Sequence, residues 1–185
     1  MGEPATKEVL SLDELEAAVG LRTGRKHTLS ITVENKPGVL TRIAGLFARR
    51  GFNIDTLAVG PTDDDAVSRI TLTLDGAVHP IDQVTKQLHK LVNVLKIRDL
   101  EPGETLAREL AMFKVSADGP ARGEVMQICE IFRAKVVDVT KRSVVVEVTG
   151  TCGKVDAFEA LVRPFGLIEM ARTGEIAIAR GRGET

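Results

Sequence analysis

Ile31-Thr-Val-Glu-Asn-Lys-Pro-Gly-Val-Leu-Thr-Arg-Ile-Ala-Gly-Leu-Phe-Ala-Arg-Arg-Gly-Phe-Asn-Ile54 is the stretch whose reading decides the fold. Leu29, Ile31 and Val33 alternate with polar residues, the period of a half-buried strand. Pro37-Gly38 then turns the chain. From Val39 to Arg50 the apolar residues Leu40, Ile43, Ala44 and Phe47 recur at helical spacing, and Gly51 is placed to stop the helix. A second strand follows from Phe52 to Val59. A helix entered through so short a turn aims first-turn N–H groups, which lack acceptors within the helix, at whatever occupies the turn. Such a place suits a small anion such as a carboxylate.

Working outward, the same order of elements continues. Gly60-Pro-Thr-Asp-Asp-Asp65 reads as a polar loop and Val67–Leu74 as a strand with Ile70, Leu72 and Leu74 on one face. Pro80 opens a helix with Ile81, Val84, Leu88 and Leu91 as its apolar stripe, and Val94–Leu100 closes the set. This is βαββαβ, a split βαβ or ferredoxin-like unit. Glu101-Pro-Gly-Glu104 marks a boundary. Beyond it come a strand over Leu110–Ala117, a helix over Gly123–Phe132, a strand pair over Val136–Thr140 and Ser143–Thr149, a helix over Lys154–Phe165, and closing strands over Leu167–Ala179 interrupted near Gly174. The fold class is therefore α+β, with two ferredoxin-like domains in tandem at 26–101 and 107–181 and an N-terminal extension, expected to be flexible, over 1–25. Within that extension, Ser11 and Glu14 form a capping box for a short helix to Val19. The repeat is architectural, since the second half has no counterpart of Asn35-Lys-Pro-Gly38.

Composition narrows the function. With 25 basic and 26 acidic residues in 185, the net charge is −1, so no global field favours nucleic acid or an anionic membrane. Aromatic residues make up 3%, all Phe, which argues against an RNA-binding version of this topology with stacking rings on its sheet. Apolar runs are short and broken by charges, no signal peptide is evident, and Cys129 and Cys152 do not make a disulfide framework, so a cytoplasmic setting is expected.

Catalytic sets are not apparent. His27, His79 and His89 all fall in the first half, at a strand start, in a turn and on a helix flank, and read as surface residues. Cys129 sits on an apolar helix stripe, and Cys152 opens a helix where a thiol pKa can fall. No metal site is expected: cysteines and histidines show no paired ligand spacing, and Asp63-Asp64-Asp65 lacks the Gly and Glu of a calcium loop. Gly150-Thr-Cys-Gly-Lys-Val155 is too short for a phosphate loop and ends in Val rather than Ser or Thr. Gly181-Arg-Gly183 has no helix to follow. What remains is the turn. Gly38 and the helix start suit a carboxylate, Asn35 and Asn53 carry amides that donate and accept, and Val39, Leu40 and Ile54 offer an apolar wall. Together these are the groups that hold a small aliphatic amino acid, although Pro37 and Gly38 also serve a plain strand–helix connection.

At this point a resemblance is specific. Asn35 to Ile54 resembles an ACT domain. Its continuation through Asp55-Thr-Leu-Ala-Val-Gly-Pro-Thr62, Ser68-Arg-Ile70 and Lys86-Gln-Leu-His-Lys-Leu-Val92 is similar to the small, regulatory subunit of acetolactate synthase (acetohydroxyacid synthase). So are Glu130-Ile-Phe-Arg133, Val137-Asp-Val-Thr140 and Gly150-Thr-Cys-Gly-Lys-Val-Asp-Ala-Phe158 in the second half. The resemblance spans about residues 26 to 181.

It implies a chain without catalytic residues. Such a subunit activates a large subunit that carries thiamine diphosphate, magnesium and FAD, and confers feedback inhibition by valine or other branched-chain amino acids. The reaction joins two pyruvates to acetolactate with loss of CO2, on the route to valine, leucine and isoleucine. It also implies a homodimer through the ACT domain, with effector sites between two copies to which Asn35 and Gly38 come from one chain and Asn53 from its partner. A free-standing ACT-domain sensor acting on another partner would share the first half alone. Which effector binds best, the stoichiometry, the role of the extension, and whether the exposed sheet side or the second half meets the large subunit stay open at this stage.

Overall fold

Strand β1 (Lys26–Glu34) is the centre from which the first sheet is built. The computed structural model describes residues 26–75, 80–181 and 185; the extension with its helix at Ser11–Val19, His79, and the last two residues of Gly181-Arg-Gly183 lie outside the described residues. After β1 come α1 (Val39–Arg50), β2 (Thr56–Pro61), β3 (Val67–Asp75), α2 (Ile81–Leu88) and β4 (Val94–Leu100). The sheet order is β2-β3-β1-β4, with β1 antiparallel to β3 and β4, and β2 antiparallel to β3. The second set is β5 (Thr105–Ser116), α3 (Pro120–Ile131), β6 (Lys135–Val139), β7 (Ser143–Gly150), α4 (Cys152–Val162) and β8 (Leu167–Arg172), in the order β6-β7-β5-β8. Both orders are that of the ferredoxin-like unit, so the chain is α+β with two βαββαβ sets in tandem. A last strand, β9 (Ile176–Ala179), pairs antiparallel with the first four residues of β5.

By compactness the described residues divide into two units: one within Gly24–Ala111 and Ala171–Thr185, the other over Met112–Met170. Order along the chain and compactness thus differ: the start of β5 and the whole of β9 count with the first unit. The reason is the β5–β9 ribbon, in which Thr105 pairs with Ala179 and Arg108 with Ile176, while β9 also lies against β1 and β4.

In the first unit the core lies between the sheet and its helices. Leu29, Ile31 and Val33 meet Ile70, Leu72 and Leu74 across the ladder, and Val39, Ile43, Leu46, Phe47, Val84 and Leu88 cover them. Gly51 ends α1 in the left-handed region at φ 68°, where a Cβ is disfavoured. The opposite face carries small hydroxyl residues, with the buried Leu100 of β4 across from Thr28. Thr28, Thr73 and Thr56 form one cross-strand row, and Ser30, Thr71 and Ala58 the next. Yet Ser30, Thr71 and Thr73 are only 3–4% exposed.

In the second unit Phe113 and Val115 of β5, Val144, Val146 and Val148 of β7, and Val125, Cys129, Val155, Phe158 and Val162 of the helices are buried. Phe158 is its hinge of packing, with Phe113 at 5.1 Å and Phe132 edge-on at 5.5 Å. Thr151 caps α4 by accepting from the Lys154 N–H.

Several element bounds differ from the periodicity. The second strand begins at Thr56 rather than Phe52, because ladder pairing starts where Thr56 meets Thr73; Phe52 and Ile54 still pack on the core from an irregular segment. β5 begins at Thr105 rather than Leu110, since its first residues pair with a strand seventy residues away. α3 starts at Pro120, before Gly123, and α4 gives way to a 3-10 turn at Arg163–Phe165.

Ser30 Oγ is buried and has no hydrogen-bond partner among the described residues. A buried polar atom without a partner costs free energy. Ser30→Ala is therefore expected to raise the unfolding free energy by about 1 kcal/mol, read as a higher urea midpoint at unchanged slope.

Candidate functional site

The turn after β1 is shaped by Gly38. It stands as N-cap of α1 at φ 83°, ψ −5°, with no side-chain cap. A Cβ there would meet nothing within 4 Å, so the backbone angle rather than space calls for glycine. The Val39 N–H reaches back to the Lys36 carbonyl at 3.4 Å, and Arg42 N–H donates to the Gly38 carbonyl at 3.0 Å. The N–H groups of Leu40 and Thr41 lie in the first turn, where an α-helix supplies no acceptor of its own. With the positive end of the helix dipole, they are the donors available to a carboxylate.

Asn35 is fixed from the neighbouring loop. Its backbone N–H donates to the Ala66 carbonyl at 2.7 Å, and its side-chain Nδ2 donates to the Asp65 carbonyl at 2.9 Å. Its Oδ1 is thereby aimed as an acceptor, the role an ammonium group requires. Leu40 is 42% exposed beside it, whereas Val39 is buried in the core. Of the expected apolar wall, Leu40 is free to touch a ligand, while Val39 and Ile54 serve packing.

Asn53 lies elsewhere. It precedes β2 in an irregular segment, not on a strand, and its Nδ2 donates to Asp55 Oδ1 at 3.3 Å. Asp55 Oδ2 in turn pairs with Lys26 Nζ at 3.1 Å. The register places the two asparagines at opposite ends of the sheet. Glu34, next to Asn35, pairs with Val67 at the start of β3, whereas Thr56, three residues after Asn53, pairs with Thr73, the partner of Thr28 near the start of β1. The 12 residues of α1, about 18 Å at helical rise, run between these ends. Within one chain Asn35, Gly38 and Leu40 come together, and Asn53 and Ile54 do not join them.

A bracing network beneath the turn was not legible in the sequence. Glu34 N–H donates to the Asn93 carbonyl at 3.0 Å, Asn93 Nδ2 donates to Glu34 Oε2, and Arg42 donates to Asn93 Oδ1 at 2.9 Å. Lys36 Nζ lies 3.1 Å from Glu34 Oε1. The Asn93 hydrogen bond first, then that of Lys36, hold the Glu34 carboxyl below the usual carboxylate range. The signal available was Asn93 between two apolar runs; the contact to Glu34, 59 residues away, is a tertiary one.

The remaining candidates are accounted for locally. His27 is half-buried, with Nδ1 2.9 Å from Asp99 Oδ2, so it is a paired rather than a plain surface residue. His89 is the exposed C-cap of α2. Cys129 is buried, and burial pushes its thiol up, which suits a core residue. Cys152 Sγ donates to Asp156 Oδ2 at 3.7 Å. No helix among the described residues is long and apolar enough to cross a membrane. A groove of about 450 Å³ lies between the β2–β3 edge and the β5–β9 ribbon, lined among others by Val59, Arg69, Leu106 and Ile178; it contains none of the six expected site residues.

Fold and turn together define an ACT-type regulatory chain: a ferredoxin-like sheet whose first strand–helix turn presents backbone donors and an amide acceptor. Comparison with known proteins makes this particular. Residues 29–96 match the AHAS small subunit-like ACT domain, and residues 108–181 match the family described as small subunit of acetolactate synthase. The acetolactate synthase small subunit of Mycobacterium leprae (strain TN) is 47% identical over 88% of this chain and 95% of that one. The probable acetolactate synthase small subunit of Methanothermobacter thermautotrophicus is 49% identical over 84% of this chain and 93% of its own length. The crystal structure of the acetolactate synthase small subunit from Thermotoga maritima superposes with a TM-score of 0.79 at 39% identity, covering 86% of this chain and 99% of that one. The chain belongs to the acetolactate synthase small-subunit family.

The Glu34 carboxyl, lowered in the folded state, contributes stability at neutral pH. That contribution is present above the ordinary glutamate range and is lost as pH falls through the lowered value. In a carboxyl NMR titration, Glu34 is expected to titrate below a free glutamate, and Asn93→Ala to move its midpoint upward. An unshifted midpoint in the variant would show that Asn93 does not brace the turn.

Proposed function

We propose that this chain is the non-catalytic regulatory subunit of an acetolactate synthase, raising the activity of a thiamine-diphosphate-dependent catalytic subunit and conferring feedback inhibition by valine. The observation that carries the reading is the turn itself. Gly38 in the left-handed region frees the first-turn N–H groups for a carboxylate, while Asn35, clamped by the 65–66 loop, keeps Oδ1 for an ammonium. Leu40 offers apolar contact to a branched side chain. Asn53 completes the site from a second copy, since one chain holds it at the far end of its sheet. The working form is accordingly a homodimer through the ACT domain, in the cytoplasm.

The chemistry belongs to the partner. Thiamine diphosphate, magnesium and FAD reside in the catalytic subunit, which joins two pyruvates to acetolactate with release of CO2. This chain acts by population shift: valine bound between two copies favours an arrangement that activates less. A coupling of about 1–3 kcal/mol corresponds to a change of roughly 5- to 150-fold. An apolar wall gains only about 1–3 kcal/mol per methylene, so isoleucine and leucine are expected to act at higher concentration rather than not at all.

Mixing the chain with the catalytic subunit of a related enzyme should stimulate acetolactate formation, and valine should reverse that stimulation. Asn35→Ala and Gly38→Ala are expected to raise the valine needed for half-inhibition at least tenfold, with stimulation retained. Absence of both stimulation and valine response in the wild type would sink the reading and favour a free-standing sensor.

A further inference from the structure

The hydroxyl face of the first sheet is buried, and Leu100 of β4, opposite Thr28, is the one large apolar side chain buried on it among the described residues. Ser30, Thr71 and Thr73 lie beneath the ribbon, and the buried residues of the ribbon are Thr105 and Ala177. The ribbon is pinned at the turn between β8 and β9. Thr173 closes that turn on β5, its N–H donating to the Leu110 carbonyl at 3.0 Å and its Oγ1 accepting from Leu110 N–H at 3.1 Å. Gly174, at φ 79°, sits so close to the start of β2 that a Cβ would stand 3.3 Å from Thr56 Cβ and 3.5 Å from Leu57 N. Glu175 Oε2 accepts from Thr28 Oγ1 at 3.2 Å. Behind the turn, Arg172 pairs with the buried Glu109.

These contacts fall at the sheet end that carries Asn53. From Asn53 the chain passes to Asp55, whose N–H donates to the Thr73 carbonyl at 2.9 Å, and then to Thr56, whose Oγ1 lies 2.7 Å from Thr73 Oγ1. Thr56 is the residue on which Gly174 rests. We propose that the Thr173–Glu175 turn is a latch: valine bound at the Asn53 segment steadies Asp55 and Thr56, favours the docked ribbon, and thereby draws the chain into its less activating state. This inference rests on the regulatory reading above and names the element through which the same site acts.

The latch is suited to two positions. Undocking exposes mostly hydroxyl and alanyl groups, which water receives at little cost, with Leu100 the one large side chain added, a far smaller apolar area than the helix side holds. Burial pushes the Glu175 carboxyl up, with the Glu109 charge adding to it, so the docked carboxylate is only partly compensated by Thr28 and Lys26. The Ser30 hydroxyl has no partner among the described residues when docked and gains water when released.

The test uses the full chain and its complex with a catalytic subunit. Hydrogen exchange at the β5–β9 ribbon amides is followed with and without valine, for wild type, Thr28→Val and Gly174→Val. Valine is expected to slow ribbon exchange in the wild type. Thr28→Val, which removes one hydrogen bond and keeps the shape, should speed ribbon exchange without valine. It should also raise both the valine dissociation constant and the half-inhibition concentration about fivefold, in equal proportion by linkage, with stimulation retained. Gly174→Val should do the same more strongly; should it not fold, Thr28→Val decides. Asn35→Ala weakens valine without altering ribbon exchange in its absence, which separates the latch from damage to the site. Ribbon exchange indifferent to valine, or half-inhibition unmoved in Thr28→Val, overturns the latch. A wild type that neither stimulates nor binds valine removes the regulatory reading, and the latch with it.

Discussion

The constraint on which the first unit depends is that β1 is central and buried on both faces. Its odd residues, Leu29, Ile31 and Val33, meet the helices; its even residues, Thr28 and Ser30, meet the β5–β9 ribbon. A strand buried on both sides ordinarily reads as a continuous apolar run. Here the alternation is that of a half-buried strand, and the second cover is supplied by small residues from far along the chain. That asymmetry fixes register firmly on the helix side, where a slip of one residue would invert the apolar set. On the hydroxyl side it leaves an interface with little hydrophobic attraction.

The same strand sets the geometry of the candidate site. Because β1 delivers Asn35 and Gly38 at one end and α1 returns the chain to the other, a single copy separates the turn after β1 from Asn53 by the length of the helix. Adjusting a loop cannot close that distance, since the span is a rigid twelve-residue helix seated on the core by Ile43, Leu46 and Phe47. A site using both ends has to be built across two copies. Effector binding and assembly are then linked by mass action, each favouring the other.

Much of this was legible from residues alone. The period-two and period-3.6 patterns located every described strand and helix of both sets, and Gly38 and Gly51 marked the entry and exit of α1, because left-handed backbone angles leave a signature in residue type. Contacts between distant residues left none. Phe52 and Ile54 look like strand residues because they are apolar, yet burial rather than ladder pairing is their role. Thr105 to Arg108 look like a linker because their partner is β9. Asn93, which braces Glu34 and Arg42, has no local pattern at all. At the turn, residue types indicated which groups are on offer, the resemblance implied that Asn53 acts from a partner chain, and the register places Asn35 and Asn53 at opposite ends of the sheet.

The two faces of the sheet also differ in what movement costs. Separating the helices from Leu29, Ile31, Leu72 and Phe47 would expose large side chains worth roughly 1.5–3 kcal/mol each, a loss that a modest ligand cannot offset. Separating the ribbon exposes Ser30, Thr71 and Thr73, for which water is a competent partner, and of large apolar side chains only Leu100 among the described residues. A coupling of only a few kcal/mol can therefore act on the hydroxyl face and cannot act on the apolar one. Of the two faces, the one that can move is the one made mainly of serine, threonine and alanine.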